Sequence, residues 1–580
     1  MSGATLQGWL ARAAEAPECG LRFVAGGERE RFLAWREIEA RAARVAGGLA
    51  ALGVAPGERV ALVFPTAPEF FDAFFGALAA GAVPVPLYPP VRLGRLAEYE
   101  QRTAGLLAAA GAVVALVDAR LRALVGEAVA AARPRLGART LGELPAAAAL
   151  RRPGASDELA LVQFSSGTTV EPKPVALTQR AIVAQVETLN ALWPDSPELR
   201  HSGVSWLPLY HDMGLVGCVF TALERPAVLT LVPPERFVAR PGLWLRALAR
   251  HRATISVAPN FAYALATERI RDEELAGCDL SAWRIALCGA ETVSAATLHD
   301  FAARFARWGF RAEALTPVYG LSEAALAVTC SALAQPFASR RFDRAALARD
   351  GRAVVAADGA ELVSLGRPLA GFAIELRDAA GGALPPDRVG RLFVRGPSLF
   401  REYLGRPAAT AAVLAGGWLD TGDLGFVHAG ELYLTGRAKD VLIVRGANHS
   451  PEEVERAVDA VALVRRGCAV AVCERVEGAA TERLVLFVEH RRGVGRRARG
   501  ALAAHCRAAV LAATGLALDQ VHVLAPGTLP RTSSGKLRRA ETLALHRAGE
   551  LAPPRRFGPL QLAAALVRGR RALAAAGAEE

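Results

Sequence analysis

Lys173, Lys439 and Lys536 are the only lysines among 69 lysine and arginine residues. Arginine serves well on a solvated surface, but its planar fork does not replace a compact ammonium beside crowded phosphate oxygens. The three lysines are therefore candidates for chemistry on anionic groups. Lys173 closes a segment of small hydroxyl and glycine residues, Ser165, Ser166, Gly167, Thr168 and Thr169. Such a loop leaves backbone N–H groups free to surround phosphate oxygens, and a lysine adds positive charge. The segment does not fit GxxxxGK[ST], so it is not a Walker-type loop. Lys439 lies in "GRAKDVLIVRG" and Lys536 in "LPRTSSGKLRR". Carboxylates recur in similar settings: Glu291 in "CGAE", Glu323 in "YGLSE" and Asp423 in "GWLDTGDLG", with His211 in "YHDMG". Taken singly, Asp423 reads equally as a turn aspartate, Glu323 as a helix-start carboxylate and Lys536 as a solvated lysine. Together they pose a question of architecture.

The elements that would position them alternate between helical and strand patterns. An amphipathic stretch from Ile38 to Gly53 precedes "RVALVF" (Arg59 to Phe64), and a further helix leads to "AVPVPL" (Ala82 to Leu87). The pattern recurs at "TISVAP" and "WRIALCG". Apolar strand runs separated by helices predict parallel sheets with crossovers. The Ser165–Lys173 loop follows a strand and precedes a helix that begins near Thr178. From Phe337 to Leu365 the pattern weakens into a polar stretch, followed by turn-rich β signals. From about residue 440 a compact α+β unit is predicted, with a helix from Pro451, strands "CAVAVC" and "ERLVLFVEH", a second helix and "QVHVLAPG". An Ala/Arg-rich helical tail follows Pro554, free either to dock or to fray. The predicted fold class is α/β: a large N-terminal domain of two α/β sheet layers plus a distorted β subdomain, then a small α+β C-terminal domain.

Composition narrows the classes. At 580 residues, with 52% hydrophobic and 22% charged residues, the chain is globular and too long for one ordinary domain. The apolar run Ala73–Tyr88 is interrupted by Pro84 and Pro86, and Ala104–Val117 is too short to span a bilayer. No signal-peptide pattern opens the chain, so the expectation is a cytoplasmic protein. Eight scattered cysteines without zinc spacing read as free thiols. The net charge of +12 is spread along the chain; its densest cluster, His490 to Arg499, lacks the interleaved aromatics of a base-stacking surface. A nucleic-acid partner is not expected.

In order, these segments resemble the motifs of the adenylate-forming superfamily of acyl-CoA synthetases, peptide-synthetase adenylation domains and luciferases. "SWLPLYHDMGLVG" (Ser205 to Gly217), "PPERFVARPGLWLRALARHRATISVAPNFAY" (Pro233 to Tyr263) and "DLSAWRIALCGAE" look like its fatty acyl-AMP ligase branch. The resemblance implies ATP and Mg²⁺ as cofactors, a fatty acid as substrate, and an acyl carrier protein or a carrier domain of a polyketide or peptide synthase as partner. It implies phosphate binding by Ser165–Thr169 and Lys173, and adenine contacts from Gly289, Ala290 and Glu291. Tyr319, Gly320, Leu321 and Ser322 would cover the base, and Glu323 would hold magnesium. Asp423 and Arg437 would bind ribose, Lys439 would be a hinge and Lys536 catalytic, with His211 beside the reacting carboxylate or simply a core histidine. The implied domains are 1–437, carrying a family insertion at about 342–364, a mobile lid at 438–555, and a tail at 556–580. Val170 and Pro174 stand where the superfamily usually has glycine. A fatty acyl-CoA synthetase and a non-catalytic acyl- or nucleotide-binding relative are the alternatives.

Overall fold

The computed structural model describes residues 4–90, 93–165, 172–196, 199–444, 447–474, 482–532, 535–554 and 557–578. Apolar strand runs become sheets covered on both faces. The first sheet has nine strands, in the order Arg367–Pro368, Ala327–Cys330, Leu315–Gly320, Ile285–Cys288, Ile255–Ala258, Gly203–Ser205, Val228–Leu231, Gly20–Val24 and Glu30–Ala34. From Leu315–Gly320 to Gly20–Val24 the strands are parallel, and each flank is antiparallel. The second layer is a parallel sheet ordered Val83–Leu87, Arg59–Val63, Ala112–Val117, Ala138–Arg139. Pro84 and Pro86 fit inside its first strand because that strand lies at the sheet edge, where a missing N–H removes no ladder bond from a second neighbour. Beside it stands a three-stranded antiparallel sheet, Glu402–Tyr403, Pro174–Thr178 and Leu159–Phe164, whose Val162 and Ala176 join the same core.

The β subdomain comprises Ala373–Arg377, Gly390–Arg395 and Trp418–His428, with Leu414–Ala415 and Glu431–Arg437 paired to the last of these. Register shifts at Arg391/Phe393 and Leu424/Gly425 account for the expected distortion. The predicted insertion is less loop-like than its polarity implies. Ser339–Phe342 and Ala360–Val363 form a hairpin, and Phe342 is fully buried edge-on against Phe426 and Tyr433.

The small domain has its own core. Strand Val464–Glu474 pairs antiparallel with Arg483–His490, which runs parallel to Gln520–Leu524. Alternation divides its side chains between two faces. Ala469 and Ala471 pack with Val454 and Val458 of helix Pro451–Asp459 and with Leu502, Cys506 and Val510 of helix Arg496–Thr514. Val470, Val472 and Phe487 pack with Leu529 and with Leu543 of helix Arg539–Arg547.

The tail docks. Helix Pro559–Ala578 lies against helix Gly126–Ala132 of the large domain. Ala565 is buried in the second-layer core, with Leu562, Leu566 and Leu573 packed against it. Two glycines permit the approach: a Cβ on Gly126 would come within 2.2 Å of the Gly569 carbonyl oxygen, and a Cβ on Gly569 within 1.7 Å of the Ala123 oxygen. Among the described residues no helix is long and apolar enough to cross a membrane.

Candidate active site

A cleft of about 2830 Å³ lies between the two domains and collects most of the predicted residues on its walls. On the large-domain side, strand Leu315–Gly320 ends at the "YGLSE" segment. A Cβ on Gly320 would fall 1.8 Å from the Leu326 carbonyl oxygen, so only glycine allows this turn to close. The closure turns Tyr319, Leu321, Ser322 and Glu323 toward the cleft. The Tyr319 hydroxyl donates to Asp423 Oδ2 at 2.7 Å, and Arg437 Nε forms an ion pair with Asp423 Oδ1 at 2.9 Å. Asp423 and Arg437 face each other across neighbouring strands of the β subdomain. The buried Asp423 carboxylate is thus fixed on both oxygens, and its charge raises the Arg437 guanidinium above the usual range. Burial pushes the Tyr319 phenol well up.

Glu323 accepts from the Tyr403 hydroxyl at 2.8 Å. Lys173 Nζ sits 4.5 Å from the centre of the Tyr403 ring. Burial raises the Glu323 carboxyl above the ordinary range, so its ionised form gains from any cation brought nearby. At the loop stem, Ser165 N–H donates to the Lys173 carbonyl and Lys173 N–H to Ser165 Oγ. Ser166, Gly167, Thr168, Thr169 and Val170 lie outside the described residues. Pro174 begins strand Pro174–Thr178, and Thr178 Oγ caps the following helix by accepting from Ala181 N–H.

On the third wall, Ala290 adopts a φ of 68° and Glu291 faces the cleft, its Oε1 accepting from Phe261 N–H at 2.6 Å. Gly289 does not line the cleft. A Cβ there would press into Val318, so this glycine lets two strands of the first sheet approach. Burial raises the Glu291 carboxyl. His211 precedes a helical segment, Asp212–Gly214, that continues through a widened turn, Leu215–Phe220. Burial pulls its imidazole down to about 4 against the opposing charge of Asp212, with the Lys536 charge adding a smaller push downward, so it is neutral at neutral pH. Asp212 accepts from the Ser322 hydroxyl at 2.6 Å and ties that helix start to the "YGLSE" segment.

The small domain contributes Lys536 on a tight loop: Thr532 N–H donates to the Lys536 carbonyl, Lys536 N–H to Thr532 Oγ, and Arg531 Nη1 to the Gly535 carbonyl at 2.6 Å. Lys536 lines the cleft. Burial and the Arg437 charge lower its ammonium from the ordinary lysine range, while Asp212, Glu291 and Asp423 oppose that shift. Lys439 follows strand Glu431–Arg437, is lowered by burial, and lies where the chain passes to the small domain. Next to it, Asp440 joins Glu452 and Glu455 around Arg539.

Tyr403, Asp212 and Arg539 were not singled out by sequence reasoning. Asp212 and Arg539 stood within quoted motifs, but nothing in their spacing showed the partners they would meet. Apolar side chains, including Leu189, Trp193, Trp206, Val257 and Leu265, extend the cavity wall beyond the polar cluster.

Parallel layers, a β subdomain, a small lid-like domain and a polar cleft between them define an adenylate-forming enzyme. The AMP-binding enzyme pattern matches residues 10–404, and the chain belongs to that family. It is 34% identical over 534 residues to a putative acyl-CoA synthetase of Caulobacter vibrioides, covering 90% of this chain and 92% of the relative. It is 33% identical over 544 residues to the medium-chain-fatty-acid–[acyl-carrier-protein] ligase JamA of Moorena producens, covering 89% and 90%. Among solved structures, one from a study of fatty acyl-adenylate ligases of E. coli and L. pneumophila superposes with a TM-score of 0.87 at 34% identity, covering 94% of this chain and 98% of that one.

Proposed function

We propose that this chain uses ATP to convert a fatty acid to its acyl-adenylate with release of pyrophosphate. It then passes the acyl group to the phosphopantetheine thiol of an acyl carrier protein or carrier domain. The observation that carries the reading is the meeting of Lys536, from the small domain, with the Tyr319–Asp423–Arg437 cluster of the large domain in one cleft.

In the reaction a carboxylate oxygen bonds to the α-phosphorus as the bond to the pyrophosphate oxygen breaks in line. Two anions approach, so catalysis consists of positioning and of stabilising negative charge. Asp423 accepts from the ribose hydroxyls. The Ser165–Lys173 loop holds the outer phosphates, and the Lys536 ammonium sits between carboxylate and α-phosphate. His211, neutral, borders the acyl carboxylate without adding a charge. Glu323 would hold Mg²⁺, which neutralises phosphate charge when bound. The residues fit such an ion: the Glu323 carboxyl lines the cleft and is raised by loss of water, so a cation beside it would favour its ionised form.

Residues 1–437 would form the nucleotide and acyl domain, 438–555 a lid turning at Lys439, and 556–580 a tail. The insertion supports a carrier over coenzyme A. Phe342 anchors it on the β subdomain, and Arg344 pairs with Glu453 of the small domain, a contact that restrains the lid. The test supplies fatty acid and ATP with either coenzyme A or a phosphopantetheinylated carrier. Acyl-adenylate and acyl-carrier are expected. Abundant acyl-coenzyme A would reject the carrier, and absence of acyl-adenylate would reject the reaction.

A further inference from the structure

The bonds that Thr532, Gly535 and Lys536 make with Arg531 and with one another do not fix where Lys536 sits relative to the large domain. Contacts on both sides of the loop do. Upstream, Arg95 of the large domain donates to the carbonyls of Gly527 and Thr528, at 3.3 and 3.0 Å. Downstream, Arg538 is almost fully buried and pairs with Glu541 one helical turn later. The other Glu541 oxygen accepts from Arg102 Nη2 at 2.5 Å. Arg102 lies on helix Leu96–Ala110 of the large domain. Glu98, on the same helix, accepts from Arg95 at 3.2 Å and pairs with Arg102 at 3.0 Å. Charges therefore alternate along Arg95, Glu98, Arg102, Glu541 and Arg538, crossing from one domain to the other within a few residues of Lys536.

We propose that Arg102 and Glu541, supported by Arg95, form an interdomain latch that positions Lys536 for adenylation. The proposal rests on the reading of Lys536 as the adenylation lysine. Arg102 and Glu541 are positioning residues: Arg102 borders the cleft, but its bonds go to Glu98 and Glu541 rather than to the Tyr319–Asp423–Arg437 cluster. The pair exists only in this lid orientation, because any rotation about Lys439 separates the helix carrying Arg102 from the helix carrying Glu541. The Arg538–Glu541 pair lies within the lid and travels with it. The latch thus favours the first half-reaction and must be released for the second.

Arg102→Ala is the cleaner probe, since it leaves the Arg538–Glu541 pair intact. Fatty-acid-dependent ATP–pyrophosphate exchange should fall about tenfold in kcat with little change in KM for ATP, as expected for loss of one charge-assisted contact. Transfer from supplied acyl-adenylate to the carrier should be unchanged or faster. Arg102→Lys should retain most of the exchange, and Arg102→Ala/Glu541→Gln should be no worse than the poorer single variant. Independently of activity, trypsin should cut after Arg437 or Lys439 several-fold faster in Arg102→Ala than in the parent. Unchanged exchange and unchanged cleavage would overturn the latch, and so would a parallel fall in both half-reactions with a lowered Tm. A parent protein without exchange would count against the proposed function, and the trypsin comparison would still decide the latch.

Discussion

Buried charge controls the site at the level of single residues. Glu323 and Glu291 are pushed up and Lys536 is pushed down, each chiefly by burial. A cation brought beside the carboxyls, or an anion beside the lysine, would favour the charged form of each. His211 behaves differently, because burial holds it neutral. Its folded value of about 4 lies below the unfolded value of 6.5, so the unfolded chain takes up a proton that the folded chain refuses. Its contribution is present above the unfolded value and is lost as pH falls from 6.5 toward about 4. In His211→Gln, urea unfolding at pH 7 and at pH 4.5 should differ by about 2 kcal/mol less than in the parent. An equal pH dependence in both proteins would show that the imidazole is not held neutral.

At the scale of elements, the sequence showed much because both sheet layers are buried on two faces. Val60 to Val63, and Val83, Val85 and Leu87, are buried, and the apolar runs around them, "RVALVF" and "AVPVPL", marked them as parallel strands. The motifs placed the cleft residues because each sits at a strand end or tight turn that restricts residue type. Pairings between distant elements were not legible. Glu323 and Tyr403 are 80 residues apart, Tyr319 and Asp423 are 104 apart, and Arg102 and Glu541 are 439 apart. Each is an ordinary polar residue until the fold brings its partner near. The tail was undecidable for the same reason: its docking depends on Gly126 and Gly569 allowing two backbones to touch. Gly126→Val should displace the tail helix, cost about 1–3 kcal/mol and lower Tm by a few degrees. In a protein truncated before Phe557 the same substitution should be nearly neutral. An equal cost in both backgrounds would mean that the clash lies elsewhere.

In the whole molecule the chain passes from the large core to the small one at Lys439, and the docked tail returns it to the large core beyond the small domain. The small domain is therefore tied at both ends, by the Glu431–Arg437 strand before it and the Pro559–Ala578 helix after it. Further contacts come from the insertion through Arg344 and from the Arg102–Glu541 pair. In the proposed lid motion these ties would oppose opening, and Lys439 would take up the rotation. What it holds in place is a single ammonium, and the account stands or falls on that group. The most direct measurement is single-turnover kinetics of Lys536→Ala and Lys536→Arg, comparing acyl-adenylate formation with transfer from supplied acyl-adenylate. Adenylate formation should fall by about 10²–10³-fold in Lys536→Ala, with Lys536→Arg failing to rescue it, while transfer persists. Adenylate formation at the parent rate in Lys536→Ala would contradict the account.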